Sequence, residues 1–145
     1  KHYIESYLAH YSGVDSYMKN VVEKANADGY VETMFGRRRN LPELTSSKHM
    51  IRAFGERVAR NMPIQGTAAD IIKIAMIKVD ERMKAENLRA RLVLQVHDEL
   101  IVEAPQDESM RVALIVQEEM ENAVKMSVPL TADAAIGRTW YDAKG

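Results

Sequence analysis

The chain has 145 residues, 46% hydrophobic and 28% charged, with a formal net charge of −1, the profile of about one ordinary globular domain. It contains no cysteine, which excludes disulfides, thiolate metal sites and cysteine nucleophiles. No apolar run approaches the roughly 20 residues that span a bilayer and no secretory leader is expected; the opening residue, Lys1, is what a piece of a longer protein would show.

The charge is unevenly spread. Residues 37–60 carry seven basic and two acidic side chains, a local charge of +5, which leaves −6 for the remainder. Residues 103–121 hold six acids against Arg111 alone. A basic zone on a near-neutral chain suggests a directed polyanion-binding face, or a solvated charge run.

In chain order, residues 1–10 read as the end of a helix closed by a turn at Ser12 and Gly13. An amphipathic helix is expected over 15–27, with Tyr17, Val21 and Ala25 on one face, ended by Gly29. Residues 30–44 suggest a hairpin whose basic tip is Arg37, Arg38 and Arg39. Ser46 or Ser47 should cap a helix carrying Met50, Phe54 and Val58 inward. Pro63 should break it, and a second long helix should run over 64–86 with Ala68, Ile72, Ala75, Val79 and Met83 as its buried stripe.

Two Val- and Leu-rich runs, 91–96 and 101–104, flank His97-Asp98-Glu99-Leu100 and read as a hairpin with an acidic tip. A helix over 107–125 follows, with Met110, Ala113, Leu114 and Met120 inward, and residues 129–134 form a last strand beside the hairpin. The fold class is α+β: a small antiparallel sheet backed by long helices. The nine methionines, spread along helix faces, read as core filler.

Three constellations carry chemistry. Asp98 and Glu99 offer hard oxygen ligands of the kind Mg²⁺ takes. Adjacent strand residues face opposite ways, so one should be the principal ligand and the other peripheral. A two-metal site would need a further carboxylate from another strand. His97 could donate to a phosphate or a primer end; the bland reading of all three is a solvated turn. Arg57, Asn61 and Gln65, four apart, share one helix face if the helix runs on or bends only gently at Pro63, and they suit the acceptor atoms of a nucleic-acid minor groove, if they are not simply exposed at a helix junction. Arg37, Arg38 and Arg39 suit phosphate contacts, or protect a strand edge. Residues 66–70, Gly-Thr-Ala-Ala-Asp, allow close backbone approach but lack the Gly-Lys-Ser/Thr ending of a phosphate-binding loop.

Taken together, the strings Gln95-Val-His-Asp-Glu-Leu100, Glu56-Arg57 through Asn61-x-Pro63-x-Gln65-Gly-Thr-Ala-Ala-Asp70, Gly36-Arg-Arg-Arg39 and Trp140-Tyr-Asp-Ala-Lys144 resemble the C-terminal palm-and-fingers portion of a family A DNA polymerase of the bacterial polymerase I type. The resemblance covers nearly the whole chain. It implies fingers-proximal helices and a hairpin over about 1–62 and a palm over about 63–145. Asp98 would be a catalytic metal carboxylate, with Glu99 in support, and His97 would contact the primer terminus. Arg57, Asn61 and Gln65 would touch the primer–template minor groove. Two Mg²⁺ ions would assist attack of a primer 3′-hydroxyl on a deoxynucleoside triphosphate, and the setting would be the bacterial cytoplasm, at the nucleoid.

Departures are also visible. Asn40 stands where many relatives have an aromatic residue. The family's Asp-Tyr-Ser-x-Ile-Glu motif, source of the other metal aspartate, is absent, as is the fingers motif that binds the nucleotide. The nearest fragment, Val14-Asp15-Ser16-Tyr17, has the wrong order. The 145 residues alone are therefore expected not to extend a primer. Two alternatives stand beside this: a non-catalytic duplex DNA-binding module, and a metal-dependent phosphodiesterase using Asp133 near Asp98.

Overall fold

The computed structural model describes residues 10–144. The chain divides into two compact units, Lys1–Thr67 and Ala68–Gly145. Helices and two small antiparallel sheets make it α+β. The helix end expected over residues 1–10 lies, but for His10, outside the described residues.

The first unit opens with helix α1, Ser12–Asp28. Ser12 and Gly13 are its first residues rather than a turn: Tyr11 O accepts the Val14 N–H, and Asp15 in the first turn complements the positive helix end. Gly29 closes the helix as expected, with φ 78° and its N–H on Ala25 O at 2.9 Å. Tyr17, expected inward, is exposed; Val21, Val22 and Ala25 make the packed face.

Strands β1 (Tyr30–Glu32) and β2 (Arg38–Asn40) pair antiparallel, with Val31 opposite Arg39 and Glu32 opposite Arg38. The expected basic tip is therefore corrected. Arg38 and Arg39 lie in the strand, and the turn itself is Met34, Phe35 and Gly36, the last at φ 78°. A 3₁₀ turn, Pro42–Thr45, then seats Leu44 on the core of Ala25, Val31, Leu41 and Ala59.

Helix α2 runs unbroken from His49 to Ala85, 37 residues with Pro63 inside. This overturns the expected break, and the reason is tertiary. Proline removes one ladder hydrogen bond and crowds the carbonyl four residues back, but Val58, Ala59 and Met62 are held by the core on that turn. The buried face also differs from expectation. Met50 is 84% exposed and Phe54 is exposed, while Gly55 and Ala59 face inward. The 3₁₀ turn sets that phase: a Cβ on Gly55 would meet Glu43 Cβ and Leu44 Cδ2 at 3.0 Å.

In the second unit the expected stripe largely holds. Ile72, Ala75, Val79 and Met83 are buried, and only Ala68 is not. Strands β3 (Arg91–Val96) and β4 (Glu99–Glu103) form the expected hairpin, with an irregularity at Val93. Leu92, Leu100 and Val102 pack on the core of Val79, Met83, Ala90, Val112 and Ile115.

Helix α3 spans Ser109–Glu121, shorter than expected and turned differently. Met110 is 70% exposed and Leu114 is exposed, while Val112 and Ile115 are buried. The carboxylate of Glu108 fixes the entry, accepting the backbone N–H groups of Arg89 and Ala90 at 2.9 and 3.2 Å. Lys78 Nζ closes the other end on Asn122 O and Ala123 O, at 2.8 and 3.0 Å.

The strand expected over 129–134 is absent; this stretch is irregular. Pro129 cannot donate to a ladder, and the alanines that follow are poor strand formers. Ala132 N–H donates to the Glu121 carboxylate instead. The short helix α4, Trp140–Ala143, carries a reciprocal Thr139–Asp142 cap.

Candidate functional site

In the second unit, Val96 pairs with Glu99, so the hairpin turn is His97 and Asp98 alone. A turn this short needs a left-handed residue, and His97 takes it at φ 54°. The Gln95 side chain donates to His97 O and holds the turn. His97 and Asp98 are exposed and Glu99 is half-buried. The apolar strands thus lift one carboxylate into solvent and leave the next at the sheet.

Glu99 is the better determined of the two. Its Oε1 sits 3.4 Å from Lys144 Nζ, and its Oε2 is buried without a hydrogen-bond partner. The ammonium of Lys144 also lies 5.2 Å from the centre of the Trp140 ring. Lys144 was not singled out as a site residue, because 45 positions of sequence separate it from Glu99 and no spacing signals the pair.

Asp98, Glu99 and Asp133 all line one hollow of about 910 Å³, with α3 and the 130–144 segment. Among the described residues, however, no group of three or more His, Asp or Glu is placed to hold a metal ion.

In the first unit, Arg57, Asn61 and Gln65 are all exposed on α2, and because the helix runs on through Pro63 their four-residue spacing keeps them on one face. They share a hollow of about 410 Å³ with Arg39 and Phe54. The Arg57 guanidinium lies over the Phe54 ring, 5.9 Å from its centre, which gives that exposed phenyl a partner. The result is a cationic and amide-bearing strip floored by apolar side chains.

The three consecutive arginines separate. Arg39 joins the strip. Arg38 meets Glu32 at 3.2 Å and stacks over Tyr30 at 4.4 Å. Arg37 donates to Gly66 O at 3.1 Å. Alternation along β2 explains the split between Arg38 and Arg39, which a reading of the three as one tip could not see.

The strongest electrostatic cluster stands elsewhere in the second unit. Arg82 reaches Glu118, Glu119 and Glu86 at 2.7, 2.8 and 3.3 Å, and Arg111 reaches Glu86 at 2.6 Å. Arg111 first, then Arg82, holds the Glu86 carboxyl below the ordinary carboxylate range. The cluster ties the end of α2 to α3.

Against known proteins, the sequence model of the family described as DNA polymerase family A matches residues 1–142. DNA polymerase I of Bacillus caldotenax is 54% identical over 142 residues, 98% of this chain and 16% of the relative. The Bacillus subtilis DNA polymerase I is 52% identical over the same share. The chain therefore spans about a sixth of the length of these relatives. Among solved structures, the POL domain of Pol1 from M. smegmatis, in complex with DNA primer-template and dNTP, superposes with a TM-score of 0.94. It is 47% identical, and the match covers 98% of this chain and 25% of that one.

Proposed function

The chain belongs to DNA polymerase family A, and from that premise we propose that it is part of a template-directed DNA polymerase. The whole protein would join a primer 3′-hydroxyl to a deoxynucleoside triphosphate. The primer oxygen would give up its proton to solvent and bond to the α-phosphorus, the bond from that phosphorus to the bridging oxygen would break, and pyrophosphate would leave. The observation that carries the reading is the two-residue turn that raises Asp98 out of an apolar hairpin beside the half-buried Glu99.

Family A polymerases depend on metal, and Mg²⁺ is the ion we propose. Bound ions would polarise the phosphate and lower the pKa of the attacking hydroxyl. The donor set fits in part: Asp98 presents an exposed hard-oxygen ligand, and Glu99 keeps one buried oxygen without a hydrogen bond. Asp98 would be the ligand and Glu99 the peripheral carboxylate, restrained by Lys144. His97, exposed at the turn, would donate to the primer end. Arg57, Asn61 and Gln65 would donate to purine N3 and pyrimidine O2 in the primer–template minor groove, reading duplex shape without sequence. Arg39 would meet a backbone phosphate. A cytoplasmic enzyme at the bacterial nucleoid is the proposed setting; no helix among the described residues is long and apolar enough to cross a membrane.

The test is Asp98→Asn in the full-length protein. Primer extension should fall at least about a hundredfold, the scale lost when a charge-stabilising group is removed from a transition state, with primer–template affinity nearly unchanged. A spared rate would remove the metal assignment. The second reading, a duplex-binding module without catalysis, is favoured by one observation: no cluster of three or more His, Asp or Glu side chains is placed to hold a metal among the described residues. It predicts salt-dependent duplex binding through Arg39 and Arg57 that ignores nucleotide.

A further inference from the structure

Arg57 and Asn61 precede Pro63 in helix α2, and Gln65 follows it. Pro63 has no N–H, so the ladder acceptor four residues back, Ala59 O, loses its donor, and a helix with that gap kinks readily. A change of bend there would turn Gln65 away from the other two. Something must fix the helix across this step if the three are to act on one groove.

The turn at residues 33–37 sits at that step. Met34 N–H donates to Thr67 Oγ1 at 2.9 Å, and Thr67 Oγ1 in turn donates to Pro63 O. Arg37 Nη2 donates to Gly66 O at 3.1 Å. Thr33 is the buried polar side chain among the described residues, and its hydroxyl accepts the N–H groups of Phe35 and Arg37 at 3.3 and 3.2 Å. Its methyl is pressed against the helix: a Cβ on Gly66 would stand 2.8 Å from Thr33 Cγ2. A hairpin turn is thus docked on residues 63–67, the turn of helix that leads away from the gap in the ladder, where the proposed groove face must hold its phase.

We propose that this turn is a latch, with Arg37 and Thr67 as positioning residues that keep Gln65 in line with Arg57 and Asn61. Arg37 then acts on the helix carbonyl and not on a DNA phosphate. The inference rests on the minor-groove reading of those three residues, and the two can be separated by experiment.

Single-turnover primer extension by the full-length protein is measured on an ordinary duplex and on duplexes carrying a 3-deazapurine, which lacks the minor-groove acceptor, at successive positions behind the primer end. The unaltered protein should slow about tenfold at the position Gln65 reads, the effect of losing one hydrogen bond. Arg37→Met and, separately, Thr67→Val should shrink that ratio to about twofold or less, because the face is already out of line. In both variants the dependence of duplex affinity on salt should keep its slope, whereas Arg39→Met should reduce the slope by about one. General loss of stability lowers both rates together and leaves the ratio intact. A full tenfold ratio in both variants, or a slope reduced by about one in Arg37→Met, overturns the latch and leaves the groove reading standing. No deaza effect at any position in the unaltered protein overturns the groove reading and the latch with it.

Discussion

The ion pairs of Glu86 with Arg111 and Arg82 tie the stability of the fold to pH. The Glu86 carboxyl is held below the ordinary range by Arg111 and Arg82, so the folded state favours the ionised form more than the unfolded chain does. That contribution is complete above the unfolded carboxylate range and is lost as pH falls through the lowered folded-state value. Urea midpoints should therefore drop on acidification, and Glu86→Gln should flatten that drop; an unchanged acid limb in the variant would assign it to another group. Gly29 makes a simpler case. Its φ of 78° is open to glycine and strained for other residues, and Gly29→Ala should cost about 1 kcal/mol in denaturant unfolding. This position was legible in the sequence because helix ends and glycine go together. The pairing of Glu99 with Lys144 was not, since it depends on where the chain returns.

Elements are the scale at which local rules met their limits. Pro63 reads as a helix break, yet α2 continues through it because core contacts of Val58, Ala59 and Met62 on the preceding turn outweigh one lost hydrogen bond. Pro63→Ala should restore the missing donor and raise stability by about 1–3 kcal/mol. A loss of stability in the same measurement would mean that the packing of this turn is built around the proline. The helical stripes divide in the same way. Ile72, Ala75, Val79 and Met83 were legible because a long regular stripe allows one inward phase. Met50, Phe54, Met110 and Leu114 were not. In those helices several faces are apolar enough, and the choice fell to neighbours: the 3₁₀ turn against Gly55 and the Glu108 entry to α3.

For the whole molecule, the charge asymmetry and the spread of site residues over two compact units carry the strongest expectation. Asp98, Glu99 and His97 lie in one unit and Arg57, Asn61, Gln65 and Arg39 in the other. Without a third carboxylate placed for metal among the described residues, a polypeptide of these 145 residues should not extend a primer with Mg²⁺ and all four nucleotides. Incorporation by the purified polypeptide, abolished by Asp98→Asn, would show that the described carboxylates suffice.

The sequence by itself determined the class, the acidic hairpin and the family. Each of these depends on local period or on the order of short strings, and both survive without knowledge of what packs where. Tertiary structure alone decided the rest: the passage of α2 through Pro63, the separate fates of Arg37, Arg38 and Arg39, the loss of the expected strand over 129–134, and the Lys144 contact with Glu99. Those outcomes turn on differences of a few kcal/mol between competing partners. Which partner wins is set by residues distant in sequence and close in space.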